Sequence, residues 1–198
     1  NGADIINIIA RQPATARFIA RHLYDFFVAD EVQVPAWQTT PPRDPAAVNV
    51  LADAYLQSDY DIRSVLRVLF MSDFFKNAQF AKIKSPAEVV AGTLRLTESN
   101  MFPGPDLPDI GPQAAYMGQD LLNPPSVEGW YTGKEWINSG SLLARINFVA
   151  DHVADTSLPG VRNIIGYMKT DGVTTPSELV NSALEYMGYL EIGPETRQ

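Results

Sequence analysis

Six residues between positions 128 and 145 gather the most chemistry in this sequence: Glu128, Trp130, Tyr131, Trp136, Asn138 and Arg145. Aromatic rings stack on the apolar faces of sugars, while a carboxylate, an amide and a guanidinium satisfy hydroxyls, so the set could line a sugar or peptide site. Glu128 could then serve as acid or base above a Trp130/Trp136 stacking platform, given a second carboxylate in the same cleft. The same residues also have a structural reading. Both Trp rings can plug the core and pin a loop that lacks regular backbone hydrogen bonds, with Arg145 bonded to loop carbonyls and to Glu128. An enzyme needs Glu128 and a partner carboxylate facing an open concavity. An anchoring loop buries both Trp rings and closes over Arg145.

Other reactive side chains are sparse. Asp151, His152 and Asp155 place two carboxylates at i, i+4 beside a histidine. His152 nevertheless points roughly 100 degrees from Asp151 on a helix, where metal ligands pair at i, i+3 or i+4, so the trio reads as a solvated face and no metal site is assigned. His22 lies among Ile19, Leu23 and Phe26 and reads as structural. No Gly-x-Ser-x-Gly elbow supports a serine triad; Ser139-Gly140-Ser141 reads instead as the cap of the following helix. No Gly-rich phosphate loop occurs, and no cofactor is assigned. Arg17 and Arg21 share a helix face near Arg11, and all three read as scaffold paired with surplus carboxylates.

The elements that must position these residues are helices. Val48, Leu51, Ala52, Tyr55 and Leu56 form an i, i+3, i+4, i+7, i+8 stripe, and so do Ile62, Val65, Leu66, Leu69 and Phe70. The template fits again at Leu142, Leu143, Ile146, Val149, Ala150 and Val153, at Val161, Ile164, Ile165 and Met168, and at Leu179, Val180, Ala183, Leu184 and Met187. Ser85-Pro86-Ala87-Glu88 and Thr175-Pro176-Ser177-Glu178 each spell a capping box, and Asp44-Pro45 opens a further helix. Pro13 separates a helix over 4–11 from one over 13–28. The count is about nine helices and no sheet, in an all-α, irregular multi-helix domain over 1–198. Residues 29–43 and 97–112, rich in Pro, read as irregular connections, and Gly193-Pro194-Glu195-Thr196 as the opening of one more helix.

Composition narrows the function classes. At 198 residues, 45% hydrophobic and 19% charged, the chain can bury one core. A net charge of -8 with only 15 Lys and Arg repels polyphosphate, so nucleic acid is not expected as a partner. No apolar run reaches the roughly 20 residues of a membrane span. The absence of Cys removes disulfides and thiolate chemistry and leaves the compartment open. Asn1-Gly2-Ala3-Asp4 lacks Met and leads straight into a helix, so the chain reads as a fragment without a visible signal peptide.

The stretch from Met117 to Phe148, with Pro124-Pro125, Gly129-Trp130, Gly133, Trp136-Ile137 and then Leu142-Leu143-Ala144-Arg145, resembles the domain of unknown function 1800 family of bacterial proteins. Residues 9–23 (from Ile9-Ala10-Arg11-Gln12-Pro13 to Leu23), Ser58-Asp59-Tyr60-Asp61-Ile62 and Lys84-Ser85-Pro86-Ala87-Glu88-Val89 are similar to further motifs of that family, in the same order. The resemblance implies that this chain is the C-terminal portion of a longer protein and that a site shared between halves is incomplete. It also implies an exported, periplasmic or cell-surface protein, and a protein partner of the domain of unknown function 1501 type, which resembles sulfatases and phosphatases. It carries no catalytic residues over. The expectation is a non-enzymatic binding or assembly module of an exported bacterial protein; the alternative is an enzyme on carbohydrate or another envelope polymer, using Glu128 and the Trp pair.

Overall fold

Ten α-helices and no strand occur among the residues described by the computed structural model, namely 1–99, 110–186, 188 and 192–196. They are α1 (Gly2–Ala10), α2 (Pro13–Phe27), α3 (Pro45–Gln57), α4 (Ile62–Met71), α5 (Asp73–Lys76), α6 (Pro86–Thr97), α7 (Gly111–Tyr116), α8 (Ser139–Ala154), α9 (Pro159–Thr170) and α10 (Pro176–Tyr186). The all-α class read from the periodicity is the fold observed. The short helices α5 and α7 were not legible as stripes, because a single turn offers too few positions to show a period.

The starts follow local chemistry. Ser85 Oγ accepts the Glu88 amide while the Glu88 carboxylate accepts the Ser85 amide, closing the box at α6. Thr175 and Glu178 make the same reciprocal pair at α10, and Asp44 accepts the Ala47 amide at α3. At α8 the cap is Asn138 and not the Ser139-Gly140-Ser141 step. Asn138 accepts the Ser141 amide, and Ser141, at the third helical position, returns the bond.

The Pro-rich 29–43 connection contains a 3-10 turn, Val34–Gln38. Of the 97–112 connection, Thr97 ends α6, Gly111 and Pro112 open α7, and Pro103, Gly104, Pro105 and Pro108 lie outside the described residues, as does Met187. Residues 193–196 form a turn closed by the Thr196 amide on the Gly193 carbonyl.

Two buried clusters result. Ala16, Ala20 and Tyr24 of α2 meet Val48, Leu51, Ala52 and Tyr55 of α3 and Val65 and Leu69 of α4. Val90 of α6 meets Ala114 of α7, Met117 and Phe148 of α8. The buried residues of α3 and α4 belong to the stripes read there, whose Leu56, Ile62 and Phe70 are exposed. On α8 the outcome is reversed: its buried residues are Ser141, Arg145 and Phe148, while Leu142, Leu143, Ile146 and Val153 of the apolar stripe are exposed. No helix among the described residues is long and apolar enough to cross a membrane.

Candidate functional site

The loop before α8 is fixed at both ends. At its start Met117 is buried in the second cluster and the Gln119 side chain accepts the Ala87 amide at the head of α6. At its end Thr132 Oγ1 donates to the Glu31 carbonyl, and Gly133 sits against Asp30. Gly133 has φ of +55°, and a Cβ there would lie 2.9 Å from Asp30 Cβ, so both conformation and space call for glycine. The middle of the loop is open, with Leu122 and Val127 exposed.

The loop end lands on a polar junction between the two clusters. Arg21 donates from Nε (3.1 Å) and Nη2 (2.7 Å) to Glu31 Oε2, and from Nη1 and Nη2 to the Thr40 and Pro41 carbonyls. Both partners of this ion pair are buried, and the Trp37 ring lies 4.5 Å from the guanidinium carbon. Asp25 accepts the Glu31 amide, and its carboxyl is raised above the usual Asp range, chiefly by burial. Lys82 Nζ bridges the Asp25 carbonyl and Asp30, whose other oxygen accepts the Ile83 amide. Of the three arginines read as scaffold, Arg21 is thus built into the interior. Arg11 and Arg17 are exposed and make no ion pair with a described residue.

The six candidate residues divide. Trp136 is 5% exposed and Tyr131 packs edge-on against it at 6.2 Å. Trp130 is half-buried and its Nε1 is buried without a hydrogen-bond partner. Asn138 is the cap of α8. Glu128 is exposed on the open part of the loop, and only its backbone amide is bonded, to Ser126. The Arg145–Glu128 contact expected from the sequence does not form. Arg145 Nη1 donates instead to the Lys84 carbonyl at 2.7 Å, because α8 turns this residue toward α6 and away from the loop. Arg145 is 8% exposed; burial lowers its pKa, and its Nε and Nη2 are buried without a partner.

Arg145 also lines an apolar groove of about 830 Å³. Its walls are Ile146, Val149 and Val153 of α8, Val161, Ile164, Ile165 and Met168 of α9, Val89 and Leu96 of α6, and Ala183 and Tyr186 of α10. Ile146, Val149, Ala150 and Val153 of the α8 stripe are therefore a groove wall, whereas Leu142 and Leu143 are exposed outside it. The periodicity gave the stripe but not its exposure, and an arginine set among Ala144, Ile146 and Val149 was the sequence signal that this face differs from an ordinary core face. Glu128 does not line the groove.

The histidines are committed elsewhere. His22 packs against Phe18 and Trp37 at 4.4 and 4.6 Å, and burial lowers its pKa. His152 bonds through Nδ1 to the Phe148 carbonyl, whereas Asp155 accepts from the Ser157 amide and hydroxyl, so the 151–155 trio does not converge. Asp151 and His152 line a smaller cavity of about 340 Å³ with Tyr116 and Phe148.

Taken together, the described residues define an all-helical fold with a buried ionic junction and an open apolar groove. The chain belongs to the family described as protein of unknown function (DUF1800), which it matches over residues 1–198. No curated protein and no solved structure matches it.

Proposed function

We propose that this chain is a non-enzymatic binding module of an exported bacterial protein, and that the groove between α6, α8, α9 and α10 is its binding surface. The observation that carries the reading is the groove itself: helix stripes with the period of buried faces line about 830 Å³ of open space instead of core. A cavity of this size and lining suits an apolar ligand. The alternative, an enzyme on an envelope polymer, is less well supported, since Glu128 stands away from the groove and the Trp136 ring is inside the protein rather than presented as a platform. Export and a partner of the domain of unknown function 1501 type belong to the same reading through the family. The exposed Ile5, Ile6, Ile8 and Ile9 of α1 supply a second apolar face for assembly.

The test is binding of Nile red, a neutral polarity-sensitive dye. The wild-type chain should bind it with a blue-shifted emission, and Ala150→Phe, which fills the groove from an exposed helix position, should weaken binding at least about tenfold by occupying that space. Equal binding by the two proteins would sink the reading. Export is checked by fractionating expressing cells, and the partner by co-expression and size-exclusion chromatography.

A further inference from the structure

The groove holds one charged side chain, Arg145; its remaining lining is aliphatic apart from two threonines and a tyrosine. The Lys84 carbonyl takes Nη1, which leaves Nε and Nη2 unpaired although both are buried. Those two nitrogens are the side-on edge of the guanidinium, whose parallel N–H bonds match the two oxygens of a carboxylate. A buried guanidinium with an unpaired edge is costly, and the group that completes it is an anion.

Building on the binding-module reading, we propose that the groove takes a long-chain carboxylic acid, its carboxylate on the Nε/Nη2 edge of Arg145 and its acyl chain along Ile146, Val149, Val153, Ile164 and Met168. One buried charge beside an otherwise apolar groove complements a molecule with one charged end and a long apolar tail. The volume, about 830 Å³, falls within the range of small-molecule sites. The edge is closed to water, so the acid enters with an adjustment of the long, rotatable Arg145 stem, which itself lines the groove.

The experiment is displacement of Nile red from the full chain by hexadecanoic acid and by its methyl ester, each below its aggregation concentration. The acid should displace the dye and the ester should be at least about tenfold weaker, the loss expected for a charge-assisted hydrogen bond. Arg145→Gln, with its helical circular dichroism intact, should bring acid and ester to the same affinity; should that variant not fold, the wild-type comparison of acid with ester still decides. Ala150→Phe should weaken the acid. Equal binding of acid and ester by the wild type would overturn the carboxylate assignment while leaving the binding module standing. Acid affinity unchanged by Ala150→Phe would place the acid elsewhere and overturn the proposal. Dye bound in the groove but displaced only by a protein partner would assign the groove to that partner and overturn it too. Failure of the dye to bind at all would remove the underlying reading.

Discussion

Glu31 is the residue on which most of the interior polarity converges. It accepts two bonds from Arg21 through one oxygen and the Arg43 amide through the other, at 2.7 Å. Glu31→Gln removes the charge and leaves Arg21 buried beside a neutral amide. The expected cost is about 3–5 kcal/mol, the range for breaking one side of a buried pair, read from urea unfolding; a loss below about 1 kcal/mol would show that the pair is not sealed from water. Trp136 acts through volume instead. Its near-complete burial predicts that Trp136→Ala loses about 3–5 kcal/mol, whereas a ring serving as a ligand platform would cost affinity and little stability.

At the scale of elements, the placement of α9 rests on a close approach. A Cβ at Gly160 would stand 2.3 Å from the Leu96 carbonyl oxygen and 2.5 Å from the Thr97 carbonyl carbon, both backbone atoms of α6 that cannot yield. Gly160→Ala should push α9 away from α6, cost about 1–3 kcal/mol in thermal or denaturant unfolding, and widen the groove that both helices wall. The start of α10 offers a test by pH. The Thr174 and Thr175 amides, then their hydroxyls, hold the Glu178 carboxyl down from 4.5 to about 2. A depressed folded pKa means that this cap contributes fully above pH 4.5 and is lost as pH falls from 4.5 toward 2. Carboxyl carbon shifts in an NMR titration should give a Glu178 midpoint near 2. A midpoint at the ordinary glutamate value would mean that the box is not formed.

At the scale of the molecule, Asp30 joins the two clusters. It receives the Ile83 amide and Lys82, and it packs against Gly133, while the neighbouring Glu31 carbonyl takes the Thr132 hydroxyl. We expect the chain to unfold in one calorimetric transition and Asp30→Ala to broaden or split it, as the α2–α4 and α6–α8 clusters lose their shared contacts. A single sharp transition in the variant would show that the clusters are coupled by other means.

What the sequence determined by itself was local. Stripes, capping boxes and prolines act within a turn or two, so the α3, α4, α6 and α10 starts and the all-α class were readable from Asp44, Ser85, Thr175 and the apolar spacing. Burial of Trp136 was one of two readings that residue type left open. Tertiary structure decided the rest, because partners far apart in sequence carry no local signature. Arg21 meets Glu31 beyond the end of α2, Arg145 reaches Lys84 over 61 positions, and Thr132 reaches Glu31 over 101. An apolar stripe states that a helix face avoids water but not what covers it. Only the packing of α6, α8, α9 and α10 made Ile146, Val149, Ala150 and Val153 of the α8 stripe the wall of a groove.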